Sequence, residues 1–354
     1  GGGKLKKMRN ESISFIIPVY NAQDVIEANI EKIVNNKKNY LIELILIDDG
    51  SVDKSSEICK SYSLKYPWIQ YHRKDNGGVS SARNKGIEVA SGNWIYFIDA
   101  DDMLMDNAID VLFDLIEENN NADIIITDYD TNKSTCAERK NTITRKAHDM
   151  KLLTLDSKYL KKDKDLNDAF LLWTCWGKLY RRDFLIEYKL QFSLDLTLGE
   201  DIFFLLNCYD YCSSVKISFS KTYFYNSNDN SASRGFNKKR VINTKNLAKL
   251  YSKWAVSQEK SIQYAAKKFI VQRVLACISK YYLHNQNDMD IDEKMCDFAE
   301  LCNVSDIKNA IKETRYSQFF ELRKLSFVYL VSLFLLKNKA YRQLFKFYKF
   351  VKVY

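Results

Sequence analysis

The chain has 354 residues, 46% of them hydrophobic and only two of them proline, which suits a large packed domain with an extension, or two domains, and excludes a long disordered chain. Its formal charge of +9 is uneven: residues 236–354 hold 23 Lys/Arg against 10 Asp/Glu, and the remainder 31 against 35. A basic balance confined to the last third points to a surface partner of the tail and away from the chemistry of the front. The eight cysteines form no Cys-x-x-Cys and no zinc-type spacing, which suits a reduced, cytosolic compartment. His72, His148 and His284 are scattered and read as non-ligands. Residues 1–11 show no signal peptide and, with their leading glycines, are set aside as a tag or disordered start.

In chain order, Ser14–Val19 is an apolar run closed by Tyr20-Asn21 and followed by an amphipathic stretch, Val25 to Val34. Leu44–Ile47 ends in Asp48-Asp49-Gly50-Ser51, with Ser51 or Asp53 placed to cap a helix. Ile69-Gln70-Tyr71 leads to Asn76-Gly77-Gly78 and a helix from Ser80 to Ala90. Trp94–Ile98 then ends in Asp99-Ala100-Asp101-Asp102, before a helix at Asn107–Glu118 and a strand at Asp123–Thr127. Strands and helices at this rhythm predict βαβ units, a mostly parallel sheet and right-handed crossovers. Residues 135–235 are less regular, and Lys216 to Tyr225 reads as two short strands. From Asn237 onward the pattern is helical. The division expected is an α/β domain over 12–235 and a helical C-terminal domain over 236–354.

The turns after successive parallel strands converge on one crevice, where open α/β sheets bind ligands. Tyr20 offers a face on which a base can stack, and the Asp48-Asp49 turn can accept the imide N–H of a uracil. Gly77-Gly78 before a helix leaves backbone N–H groups for an anion and aims Arg83 at phosphate or base. Asp99 and Asp101 form a hard, oxygen-only pair suited to Mg²⁺ or Mn²⁺ and, through the metal, a diphosphate. Asp102 is left to cap the segment after them. Asp201 lies in the polar turn Gly199-Glu200-Asp201, where helix capping and acid–base work are the two uses open to it.

Together, Pro18-Val19-Tyr20-Asn21, Asp48-Asp49-Gly50-Ser51, Asn76-Gly77-Gly78…Ala82-Arg83-Asn84, Asp99-Ala100-Asp101-Asp102 and Gly199-Glu200-Asp201 resemble the family 2 glycosyltransferases of the GT-A fold, over residues 12 to about 230. The resemblance implies a Rossmann-like nucleotide-sugar-binding domain and an inverting transfer from a nucleotide donor, usually a UDP-sugar, with a divalent cation. It implies that Pro18, Tyr20, Asp48, Asp49 and Arg83 hold the nucleotide, while Asp99 faces the ribose and Asp101 the metal. Asp201 takes the acceptor's proton; Trp176, Lys178 and Glu200 serve the acceptor or donor sugar. Relatives carry an Arg or His after the final strands that helps hold the diphosphate, a place that Arg234 would fill here. The expected setting is bacterial capsule, exopolysaccharide, teichoic acid or O-antigen assembly. The rival readings are a catalytically inactive scaffold and a nucleotidyltransferase, the latter disfavoured because no Gly-rich phosphate loop comes after the first strand.

The tail joins an apolar run, Leu325–Leu336, too short to span a bilayer, to a stretch with Lys339, Arg342, Lys346 and Lys349 on one face. Tyr341, Leu344, Phe345, Tyr348 and Val351 occupy the other. That is the pattern of an interfacial anchor on anionic lipid, here the inner leaflet with a lipid-linked or oligosaccharide acceptor. The competing readings of that face are an ordinary helix packed on the core and an oligomer contact. Nucleic acid is not expected, because the aromatics oppose the charges instead of interleaving with them.

Overall fold

Ile13–Val19 (β1) is buried on both faces except at Pro18, as a strand between two helical layers must be. The computed structural model describes residues 11–132, 136–166, 168–227, 236–320 and 324–351. β1 pairs in parallel with Ile42–Asp48 (β2) on one side and Trp94–Phe97 (β4) on the other, and β2 pairs in parallel with Ile69–Arg73 (β3). Helices Ile26–Asn36 (α1), Ser55–Lys65 (α2), Val79–Val89 (α3) and Ala108–Glu118 (α4) alternate with these strands. Beyond β4 the sheet becomes mixed. Met103–Leu104 (β5), Ile124–Asp130 (β6), Thr142–Lys146 (β7), Lys178–Arg181 (β8) and Ser214–Phe224 (β9) give the order β3-β2-β1-β4-β8-β6-β9-β5, with β7 on β9. The strand order reverses between β1 and β4, which opens a crevice beyond their carboxyl ends.

The two short strands expected near 216–225 are one strand, β9. It pairs with β6, β7 and β5 along its length, so no turn is needed to satisfy its backbone. Helix α3 lies close on β1 at Gly86, where an added methyl group would overlap the Ile16 side chain. Gly86→Ala is therefore expected to destabilise the protein by about 1–2 kcal/mol, overpacking outweighing the better helix propensity of alanine. A denaturant midpoint that rises in this variant would refute the close packing.

The described residues form two packing units, one of residues up to 150 with 170–227, the other of 151–169 with 236–351. The segment 151–169, expected within the first domain, thus packs with the C-terminal helices. Within the second unit Lys268 donates to Asp156 at 2.5 Å with both side chains buried, and Lys151 donates to Gln258 at 2.9 Å. The remaining α-helices among the described residues, in chain order, are Ala147–Leu155 (α5), Ser157–Leu160 (α6), Ala169–Trp173 (α7), Arg182–Glu187 (α8), Glu200–Tyr211 (α9), Arg240–Ala255 (α10), Lys260–Cys277 (α11), Ile291–Asn303 (α12), Ser305–Glu313 (α13), Lys324–Lys337 (α14) and Tyr341–Val351 (α15).

The tail departs from its expected form. Leu344, Phe345 and Tyr348 of α15 are buried, and Phe345 packs on Phe298 and Tyr282 with ring centroids 5.5 and 5.8 Å away. The apolar face assigned to a bilayer is thus spent on the unit's own core. Arg342 is paired with Asp292 at 2.8 Å, and Lys339 precedes the helix in a left-handed conformation, φ 55°. Of the four expected cations, Lys346 and Lys349 are the two that α15 itself displays to solvent outside that ion pair. Among the described residues, no helix is long and apolar enough to cross a membrane.

Candidate active site

Arg83 stands at the centre of the crevice. It sits one turn into α3, whose start is permitted by Gly78 at φ 85°, and its side chain is 4% exposed. One guanidinium nitrogen meets Asp201 Oδ1 and the other Asp99 Oδ1, each at 2.8 Å; Glu200 lies at 3.7 Å. The Phe192 ring lies 5.3 Å beneath the guanidinium. Asn84 fixes that residue by donating to Phe192 O at 2.9 Å and accepting from its N–H at 2.8 Å. Burial works against the arginine's charge, but Asp201 foremost, with Asp99 and Glu200, outweighs it and keeps the cation charged. Arg83 is thus an internal tie between two carboxylate-bearing turns.

Asp201 is the second residue of α9, after Glu200 and the left-handed Gly199 at φ 83°. Its second oxygen accepts the Cys175 N–H at 2.9 Å. That N–H is presented by a loop which Lys178 organises. The Lys178 side chain is fully buried, and its ammonium donates to the carbonyls of Thr174, Leu171 and Trp176 at 2.6, 2.7 and 3.3 Å. Lys178 therefore does not reach for an acceptor phosphate. Trp176, 3% exposed, is stacked on Tyr223 at 4.2 Å and flanked by Tyr225 at 5.6 Å, so its indole face is covered by tyrosine and not open to a sugar. Glu200 is pushed up to about 7, first by burial and then by the negative charge of Asp201, with Arg83 opposing.

The Asp48-Asp49 turn is bound into its surroundings. Asp48 is fully buried; it accepts from Ser51 N–H and Tyr71 Oη at 2.8 Å, Ser56 Oγ at 2.5 Å and Arg73 at 3.1 Å. Burial pushes its carboxyl upward, but the hydrogen bonds from Ser56, Ser51 and Tyr71 prevail and hold it below the usual range. Asp49 accepts the Gly77 and Gly78 N–H groups at 3.0 and 2.7 Å and the Lys74 ammonium at 2.6 Å. The backbone donors expected to await a ligand anion thus hold the protein's own carboxylate. Tyr20, 54% exposed just past β1, is open for stacking, and Pro18 lies half-buried in the strand before it.

Asp99, Asp101 and Asp102 divide differently. Asp101 is exposed, whereas Asp102 is 2% exposed. Asp102 accepts from Tyr223 Oη at 2.6 Å and from the Asn226 N–H at 2.8 Å, and Tyr223 Oη accepts the Asp99 N–H at 3.1 Å. Asp102, expected only as a cap, instead joins the carboxylate turn to the end of β9. Tyr223, Asn226 and the Cys175 N–H had no sequence signal, because each acts through a contact across the sheet. Arg234 lies outside the described residues.

Burial first, and then the charge of Asp99, pushes the Asp102 carboxyl up to about 8. An unfolded aspartate titrates near 4, so between about pH 4 and 8 the folded state holds a proton that the unfolded state has lost. The stability this group contributes is full at low pH and is lost as pH rises through that window. Asp102→Asn is expected to flatten the decline, read as urea midpoints at pH 5 and pH 8; equal slopes in both proteins would count against it.

Among the described residues, no group of three or more His, Cys, Asp or Glu is arranged to hold a metal ion. Exposed Asp101 beside Asp99 fits a different mode, in which Mg²⁺ or Mn²⁺ is held by one or two carboxylates and the substrate's own phosphates.

Residues 14–188 match the profile described as glycosyl transferase family 2. The glycosyltransferase EpsJ of Bacillus subtilis is 31% identical over 219 residues, 62% of each chain. The minor teichoic acid biosynthesis protein GgaB of the same organism is 42% identical over 118 residues, 33% of this chain and 13% of that protein. The chain thus matches only part of the length of these relatives. The solved structure of S. aureus TarS 1–349 in complex with UDP-GlcNAc is 15% identical, with a TM-score of 0.67 over 96% of this chain and 91% of that one, a likeness of fold. Because the matched stretch carries the strands whose ends build the crevice, the chain is placed among the family 2 glycosyltransferases, with the GT-A fold.

Proposed function

We propose that the chain moves a sugar, with inversion, from a UDP-sugar to a saccharide acceptor during assembly of a bacterial surface polymer of the teichoic acid or exopolysaccharide kind. The acceptor is lipid-linked, and the work is done at the cytoplasmic face of the membrane. The single observation that carries the reading is the Arg83 tie, which holds Asp201 and Asp99 in one crevice, each at 2.8 Å. The likeness to GgaB, a teichoic acid biosynthesis protein, supports the polymer class, and the likeness to UDP-GlcNAc-bound TarS supports the donor class.

In the reaction the acceptor hydroxyl yields its proton to Asp201 as its oxygen bonds the anomeric carbon, and the bond from that carbon to the diphosphate breaks. Tyr20 stacks on the base and Asp99 faces the ribose. A divalent cation at Asp101, Mn²⁺ or Mg²⁺, would neutralise charge on the leaving diphosphate. A second reading gives the proton to Glu200. Both Asp201 oxygens already accept hydrogen bonds, whereas burial and then the charge of Asp201 push the Glu200 carboxyl up to about 7, near the operating pH.

Thermal unfolding in a panel of nucleotide sugars, with and without Mn²⁺, tests the donor. A uridine nucleotide at about 100 times its Kd should stabilise by about 2.7 kcal/mol. No stabilisation by any uridine nucleotide, with or without Mn²⁺, would sink the reading.

A further inference from the structure

We propose that an aromatic stripe on α14 and α15, set among lysines, is a docking face for an anionic lipid bilayer. The stripe is not the face that the sequence pattern suggested, which packs inward. On α14, Phe327 is 65% and Phe334 55% exposed, with Leu330 and Val331 half-buried between them. This spacing of three, four and seven residues puts all four on one side of the helix. Phe347 of α15 meets Phe327 edge-on, with ring centroids 6.3 Å apart, and carries the stripe onto the second helix. Phe350, one turn further, is 84% exposed. Contiguous exposed aromatics of this kind mark an interaction surface.

Charge decides the occupant. Residues 322–354 contain eight Lys/Arg and no Asp or Glu. Lys346 and Lys349 are exposed on the turn that displays Phe350, and Lys339 is exposed at the bend between the helices. A second copy of the chain would bring like charges together at this face. A bilayer containing acidic lipid offers both a dense negative surface and apolar depth for the rings. Helices α14 and α15, of 14 and 11 residues, are too short to cross it and would lie in its plane.

The test is co-sedimentation of the full chain with phosphatidylcholine vesicles, with and without phosphatidylglycerol. Binding is expected only with phosphatidylglycerol and should weaken with salt. Phe327→Ser/Phe334→Ser/Phe350→Ser and, separately, Lys346→Glu/Lys349→Glu should each lower the bound fraction about tenfold. Both variants change exposed side chains, so their melting curves and their UDP-stabilised melting in vesicle-free buffer should match those of the unaltered chain; that readout reports on the donor site separately. A Trp emission shift to the blue in Phe334→Trp, on anionic vesicles alone, would place this residue in the lipid. The proposal is overturned if the unaltered chain stays in the supernatant with phosphatidylglycerol vesicles, or if both variants bind as it does. It is equally overturned if light scattering shows a dimer that the Phe variant dissolves, which gives the stripe to a second copy.

Discussion

Asp201→Asn is expected to lower glycosyl transfer by about three orders of magnitude, the range a positioned general base supplies, while UDP affinity stays within a few-fold. The amide keeps the size of the carboxylate and can still accept the Cys175 N–H through its oxygen. It cannot take a proton, and its NH₂ cannot accept from Arg83. The measurement is UDP release in the presence of acceptor, paired with UDP titration by calorimetry to separate chemistry from binding. Glu200→Gln in the same assay decides between the two carboxylates. A loss of about tenfold or less beside a large loss in Asp201→Asn leaves the proton with Asp201. The opposite order moves it to Glu200, whose raised carboxyl would then account for the pH profile.

Arg83→Met is expected to cost about 3–5 kcal/mol of folding stability, because removing one partner of a buried ion pair strands the other charges. Three carboxylates face the vacated space: Asp201 and Asp99, which had been bonded at 2.8 Å, and Glu200 at 3.7 Å. Without the guanidinium they repel one another in a partly desolvated crevice, and protonation relieves that repulsion. Asp99 and Glu200, which burial already raises and Arg83 opposes, then rise further above their unfolded values. The stability tied to those protons is present at low pH and is lost as pH rises, so the deficit should be larger at pH 8 than at pH 5. Arg83→Lys keeps a charge but loses the forked geometry that reaches two turns at once, and should recover only part of the stability. Urea unfolding of the three proteins at both pH values checks this; a pH-independent deficit would refute the carboxylate argument.

Much of the first unit is readable from residue order. β1, β2 and β4 are continuous apolar runs closed by turn residues, and local chain preference together with burial on two faces leaves few alternatives. The carboxylate turns sit at the ends of those runs, so a parallel sheet brings them to one edge without further information. What each carboxylate touches is another matter. Asp48 and Asp49 look equally available in the sequence, yet Tyr71 and Arg73 from β3 and the Gly77-Gly78 turn claim them across 23 to 29 residues of chain. Lys178 and Trp176 look like ligand-binding residues and are interior ones, because an ammonium with three carbonyls and an indole stacked on Tyr223 are satisfied from within.

The same division holds in the tail. Its charge, its helical period and its amphipathic character come from composition and spacing. Which apolar residues are spent on the core depends on Phe298 and Tyr282, 47 and 63 residues before Phe345 in the chain, which pack against α15. By itself, then, the amino-acid order determined the family, the parallel strands β1 to β4 and the set of acidic turns, since these rest on local pattern and on strand ends. Only the tertiary structure decided that Arg83 ties Asp201 to Asp99 and that Asp102 is a buried joint, because a side chain's partner is set by contacts distant in sequence.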